Sequence, residues 1–178
     1  SEEPEKVSVL ESVVEAIVKF ARVDAGRYQI IKSGAIKHVI SLCSVKYGIT
    51  VNACAARAIS NISEHGGARA KIIDAGAVKA LFGALGRDED QITIFSCDGL
   101  RHLVGNPAGI TALLKEATSQ RMELLKQLCT SVNVEIVEHA TALILTLSNT
   151  PQIRKQVVSQ DLVENLIDCC GKQYNTPG

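Results

Sequence analysis

Val51-Asn52-Ala53-Cys54-Ala55-Ala56-Arg57-Ala58-Ile59-Ser60-Asn61-Ile62 is the stretch that decides the fold. Val51, Cys54, Ala55, Ala58, Ile59 and Ile62 keep the i, i+3, i+4, i+7 spacing of one helix face, and nothing in it alternates as a strand does. The pattern Ala58-Ile59…Ile62 has counterparts at Ala16-Ile17…Phe20, Gly99-Leu100…Leu103 and Leu143-Ile144…Leu147, at steps of 42, 41 and 44 residues. The aliphatic pairs Ile30-Ile31, Ile72-Ile73, Leu113-Leu114 and Val157-Val158 keep the same three steps. Ser33-Gly34-Ala35-Ile36 returns as Ala75-Gly76-Ala77-Val78, with weaker echoes near Ser119 and at Asp161-Leu162-Val163. Registers that share one step define an internal repeat.

Punctuation divides each period into three helices. Asp24, Asn106 and Thr150 sit where an N-cap belongs, and Pro107 and Pro151 follow two of them at the first helical position. The second period has His65-Gly66-Gly67 there, a looser turn. A short first helix ends at Gly34 or Gly76, because glycine takes a left-handed bend at little cost. The second helix carries Ile36, Val39, Ile40 and Cys43 over 36–46, or Val78, Leu81, Phe82 and Leu85 over 78–85. The long third helix closes the period, as at 50–64.

The chain enters mid-period. Residues 7–22 read as a third helix that opens on the capping-box pattern Ser8-x-x-Glu11 and buries Leu10, Val13, Val14, Ile17, Phe20 and Ala21. Full units cover about 23–64, 65–105 and 106–149, and a partial unit, 150–172, holds a first and a second helix before a polar tail. These make one repeat domain over 1–178. The third unit lacks the mid-unit glycine, so Ala117-Thr118-Ser119 is either a longer turn or the seam of two partly fused helices.

Composition narrows the function classes. Lys and Arg total 19 against 19 Asp and Glu, so the cationic excess that nucleic acid or an anionic membrane demands is missing. The chain is 46% hydrophobic with three Phe, three Tyr and no Trp, which calls for an aliphatic, alanine-rich helical core and removes the ring platforms of single-strand binders. No stretch reaches the about 20 apolar residues of a membrane span. The acidic start Ser1-Glu2-Glu3-Pro4-Glu5-Lys6 does not read as a secretory signal, and it lacks Met, as a fragment would. Cys43, Cys54, Cys97, Cys129, Cys169 and Cys170 fall in apolar segments without C-x-x-C spacing. They read as reduced core thiols of a cytoplasmic protein, one that also enters the nucleus in a second reading, with neither zinc nor a disulfide framework.

A three-helix unit of about 42 residues, phrased Asp74-Ala75-Gly76-Ala77-Val78-Lys79-Ala80-Leu81 and then Val51 to Ile62 in its long helix, resembles the armadillo repeat. The nearest rival is the two-helix HEAT repeat, and the glycine after a short first helix favours three helices over it. The resemblance implies an all-α, right-handed α-solenoid whose third helices line a concave face. In peptide-binding members an Asn on the third helix brackets a peptide backbone, and a Trp one turn earlier packs on the peptide's stems. Here the Asn place holds Lys19, Asn61, His102 and Thr146, and the Trp place holds Glu15, Arg57, Asp98 and Ala142. Only Asn61 matches.

Lys19, Arg57, Asn61, Asp98, His102 and Thr146 are therefore the candidate partner-binding residues. No catalytic residues, metal ligands or cofactor are assigned. His38, His65, His102 and His139 lie in different periods, Gly66-Gly67 lacks the phosphate-loop pattern, and Asp98 with His102 at i, i+4 reads as a helix-surface pair. Cys54 and Cys97 read as packing residues. The leading reading is a non-enzymatic interaction scaffold or adaptor for a protein or peptide. The rivals are an importin-alpha-like carrier, which would need acidic pockets and the Trp ladder, and self-association through the last unit (Val157, Val158, Leu162, Val163, Leu166, Ile167).

Overall fold

The computed structural model describes residues 4–87, 89–157 and 160–174, with the backbone alone for 4–7, 156, 160 and 169–174. Among the described residues the chain is helical, without a strand. The helices are α1 (Pro4–Ala21), α2 (Asp24–Lys32), α3 (Ile36–Ser41), α4 (Ile49–Glu64), α5 (Arg69–Asp74), α6 (Ala77–Phe82), α7 (Asp90–Val104), α8 (Pro107–Glu116), α9 (Ser119–Leu128), α10 (Val134–Ser148), α11 (Pro151–Val157) and α12 (Gln160–Tyr174). Between the long helices α1, α4, α7 and α10 lie two shorter ones each time, the predicted rhythm. The long helices stack side by side in chain order, and these contacts are the densest in the molecule. The result is an all-α solenoid with one continuous core that runs from Val18 to Leu162.

Glycine and short polar caps set the corners. Gly34 and Gly76 adopt φ of 75° and 94°, so the turn from first to second helix needs a residue without Cβ. The third unit has no such glycine and solves the corner differently. Its helices are separate, and Thr118 caps α9 by accepting a hydrogen bond from the Arg121 amide. Asn106 caps α8 through the Ala108 amide, as predicted, ahead of Pro107.

Other expectations need correction. The structure places Asp24 inside α2, with Val23 at the cap position. Its carboxylate is taken by Arg27 at 2.5 Å, a charge-assisted bond that outcompetes a backbone amide. α1 starts at Pro4, so Ser8 lies within the helix, where its carbonyl accepts from the Ser12 hydroxyl, and no capping box forms. The second helices are shorter than predicted: α3 stops at Ser41, and a 3₁₀ turn, Val45–Tyr47, carries the chain to α4. Ile36, Val39, Ile40 and Cys43 are buried all the same. On α1, Val14 and Ala21 are buried as expected and Val18 joins them, but Val13 and Phe20 face solvent. α4 packs on one side of α1, and no described element covers the other.

Two features hold successive units together. The first is an arginine near the start of a first helix that reaches back to the free carbonyls ending the preceding third helix. Arg27 donates to Ala21 O (3.1 Å), Arg69 to Ser63 O (2.8 Å) and Arg154 to Ser148 O (2.7 Å). The first helix comes so close there that a Cβ on Gly26 or Gly109 would lie 2.1 Å from Phe20 O or 2.0 Å from Leu103 O. The second is buried Asn52, which donates to Leu42 O and Ser44 O and accepts from Arg87 of the next unit. Arg87 also donates to Cys43 O at 2.8 Å, so one guanidinium ties a loop, a helix and the following repeat.

Candidate functional site

The stacked third helices bring most of the predicted residues onto one face. Repeats of equal length place equivalent positions on neighbouring helices side by side, so residues some 40 positions apart in sequence become partners. Arg57 on α4 lies over the Phe95 ring of α7, 5.2 Å from its centroid. Ser60 on α4 donates to Asp98 Oδ2 on α7. His139 on α10 approaches Asp98 Oδ1 from the other side, at 3.8 Å. Asp98 thus joins three consecutive third helices.

The surroundings of Asp98 decide its charge. Burial pushes its carboxyl up, but the hydrogen bonds from Ser60 and Arg101, with the charges of His102 and Arg101, outweigh that and hold it below the usual carboxylate range. Arg101 Nη2 stands 2.7 Å from Asp98 Oδ1 and 2.8 Å from His102 Nε2, which accepts its hydrogen bond. His102 Nδ1 lies 3.8 Å from Asp98 Oδ2, beyond hydrogen-bond reach, and is buried with no partner. Burial, more than Arg101 and Arg69, lowers the His102 pKa against the pull of Asp98, so the neutral ring is favoured. The i, i+4 pair expected between Asp98 and His102 is therefore secondary. Arg101, one residue nearer, and Ser60, from another helix, hold the carboxylate.

This geometry stabilises charge without preparing a nucleophile. A hydroxyl becomes nucleophilic beside a base of suitable pKa. Ser60 is buried and donates to a carboxylate held weakly basic, and no imidazole nitrogen accepts its proton.

The remaining predicted residues are partly engaged. Asn61, the one match to the peptide-binding pattern, donates from Nδ2 to Val18 O of α1 at 3.5 Å, a long bond that a better acceptor can replace. Thr146 donates back to Ala142 O within α10. Lys19 pairs with Glu15 at 3.3 Å in full solvent at the outer edge of the row. Arg57 makes no ion pair among the described residues, only its contact with Phe95. Cys54 sits half-buried beside it, its thiol pushed up by burial and by Glu15. Buried Cys43 and Cys97 are pushed up to about 12 and stay thiols at neutral pH.

Phe95, His139 and Ser60 belong to this face and were missed. Cys54, Phe95 and His139 share one repeat position, three residues before Arg57, Asp98 and Ala142. Arg27, Arg69 and Arg154 likewise recur in step. Both series are legible in the sequence once the non-aliphatic positions are set in the register of the aliphatic ones. Of the self-association residues, Val157 and Leu162 prove to be internal core, while Val163 and Ile167 are exposed and Val158 lies outside the described residues. Among the described residues no cluster of His, Cys, Asp or Glu could hold a metal, and no helix is long and apolar enough to cross a membrane.

No protein-family model and no curated protein sequence matches the chain. Solved structures do. An engineered protein aligns over 96% of this chain with a TM-score of 0.73 and 20% identity. A computationally designed armadillo repeat protein for modular peptide recognition aligns over 93%, with a TM-score of 0.71 and 20% identity. A designed armadillo repeat protein in complex with the peptide (KR)4 aligns over 94%, with a TM-score of 0.67 and 19% identity. The chain spans 64% of the length of the first of these, 79% of the second and 70% of the third. At this identity the likeness concerns the fold, which is that of an armadillo-type solenoid.

Proposed function

We propose that this solenoid is a non-enzymatic interaction scaffold that holds an extended peptide segment of a partner protein across its third helices. The observation that carries the reading is the unbroken row α1, α4, α7, α10, with polar side chains from each helix on one face. Extended chain suits such a row, because a strand crossing parallel helices meets equivalent side chains at regular intervals. That two fold neighbours are described as a peptide complex and a peptide-recognition design supports the same use of the surface.

The residues favour a different peptide from the basic one in that complex. Arg57 presents a cation that makes no ion pair among the described residues and lies over the Phe95 ring, and the Trp places hold Glu15, Arg57, Asp98 and Ala142. Asp98, the acid nearest the centre, is already neutralised by Arg101. A partner segment with an acidic residue at Arg57 and a backbone amide or carbonyl at Asn61 fits this surface. The buried thiols Cys43 and Cys97, which form no disulfide, support a reducing, cytoplasmic setting.

The test is fluorescence polarisation with two libraries of extended peptides, one Asp/Glu-rich and one Lys/Arg-rich, against wild type and Arg57→Ala/Asn61→Ala. Micromolar binding from the acidic set, weakened about tenfold or more in the variant, is the expected result. Preference for the basic set would instead favour the carrier reading. Binding that the double substitution leaves unchanged moves the site off this face.

A further inference from the structure

The junction between the first two units departs from the others. Gly26 and Gly109 let their first helices seat against a carbonyl of the preceding third helix, and at the same register position the second unit has Ala68. The Ala68 Cβ, buried in the core, keeps that segment from coming as close. The chain enters instead through a 3₁₀ turn, Gly66–Ala68, and α5 begins only at Arg69. α5 packs on α8 of the next unit, whereas α2 makes no comparable contact with α5. A cavity of about 370 Å³ lies between α2 and the start of α5.

The walls of this cavity carry uncompensated positive charge. Lys32 of α2 and Lys71 of α5 line it from two helices. Among the described residues the wall holds one carboxylate, Asp24, which Arg27 takes at 2.5 Å, and neither lysine forms an ion pair. His65, whose ring lies beside Gly67, adds an imidazole. Tyr28, 60% exposed, and Ile31 supply apolar surface. The Lys32 ammonium lies over the Tyr28 ring, 5.7 Å from its centroid, a contact that orients the cation and leaves its charge unneutralised.

We infer that this cavity is a binding site for a phosphomonoester with an apolar body. Charge balance selects the class. A phosphomonoester carries about −1.5 to −2 at neutral pH, enough to offset both lysines, where a carboxylate offsets one. Its three terminal oxygens can accept charge-assisted hydrogen bonds from Lys32 and Lys71 and a further one from His65. The volume falls in the range of small-ligand sites, about 300–1,000 Å³, so there is room for the group that carries the phosphoryl to pack against Tyr28 and Ile31. That group is a free small molecule or a phosphorylated side chain of a partner, and the same wall reads both. The site is built from first helices and the turn before α5, and it is independent of what the third-helix face binds.

Isothermal titration calorimetry tests it with phenyl phosphate, benzoate, inorganic phosphate and a phosphotyrosine peptide beside its unphosphorylated form. The proteins are wild type, Lys32→Met/Lys71→Met and Lys79→Met. All three lysines are exposed, so the fold should persist, with circular dichroism as the check. Phenyl phosphate should bind wild type at least about tenfold more tightly than benzoate or inorganic phosphate, and the double substitution should weaken it at least about tenfold. Lys79→Met removes a lysine outside the cavity and should change neither result. Tighter binding of the phosphotyrosine peptide than of phenyl phosphate assigns the phosphoryl group to a partner protein, and the reverse order assigns it to a small molecule. Benzoate that binds as well as phenyl phosphate overturns the inference, and so does a double variant that binds as wild type does. An equal loss in Lys79→Met overturns it too, because net charge alone would then govern binding, as does a folded wild type that takes up neither phosphoryl probe.

Discussion

Helices α1 and α4 hold the same place in successive units but differ in what surrounds them. α4 lies between α1 and α7, with α3 and α5 against it as well, and Val51, Ala55, Ile59 and Ile62 are fully shielded. α1 has α4 on one side and α2 at its end, and of the equivalent residues Val9, Val13 and Phe20 stand in water while Ile17 packs partly against the core. Both helices were read from one apolar pattern, so the difference comes from neighbours alone. In a repeat protein, burial is a property of position in the stack, because each unit covers only the next. The same holds for the polar ties. α4 is joined to α1 by a neutral, long bond from Asn61 to Val18 O, and to α7 by the charged group around Asp98.

The largest test of this contrast is a pair of truncations at one register position. Ile62→Ala should cost about 2–5 kcal/mol, as buried aliphatic deletions do. Phe20→Ala, though it removes a larger side chain, should cost under about 0.5 kcal/mol in the monomer. Urea denaturation at low protein concentration decides, and equal losses would mean that α1 is covered in solution.

The ends of α1 and α7 sharpen the comparison, since there the two helices should behave alike. Gly26→Ala and Gly109→Ala each force a Cβ onto a carbonyl of the preceding third helix, and each should cost about 1–3 kcal/mol. A neutral Gly26→Ala would show that the α1 terminus is not docked as the α7 terminus is. The arginines make a smaller version of the same test. Arg69→Met and Arg154→Met each free a helix-end carbonyl, and a loss of about 1 kcal/mol is expected in thermal melts.

The smallest effect is a pH dependence confined to one side of α4. The Asp98 pKa is lower folded than unfolded, so its contribution is present above the usual carboxylate value and is lost as pH falls through the folded value. The His102 pKa is also lowered, so the unfolded chain takes up that proton first, and stability declines as pH falls below about 6.5. Both act in one direction, with Ser60 and Glu64 of α4, Arg69 of α5, Arg101 and His139 all facing the pair. Acidification should therefore speed amide exchange in α7 and α10 ahead of α1. Asp98→Asn should flatten the acidic part of the dependence, and an unchanged profile would remove Asp98 from the account.

By itself the sequence determined the repeat, its three-helix rhythm and the position of each long helix, because glycine, proline and apolar spacing act within one turn or one helix. Gly34 and Gly76 bend where they were read to bend, and Asn106 caps where it was read to cap. It also placed Arg57, Asn61, Asp98 and His102 on neighbouring third helices, since a constant step carries a residue to the equivalent place in the next unit. Tertiary structure alone decided how those side chains are spent. Asp98 is neutralised by Arg101 and approached by Ser60 and His139 from the two neighbouring helices, Asn61 turns to Val18, Arg57 is left with Phe95, and Asp24 gives up its cap to Arg27. It decided as well that Val13 and Phe20 stand bare while Ile62 is sealed. The reason is distance along the chain: these outcomes depend mostly on groups about 40 residues away, brought within a few ångströms by stacking, and an apolar pattern within one helix carries no record of which of its sides the stack will cover.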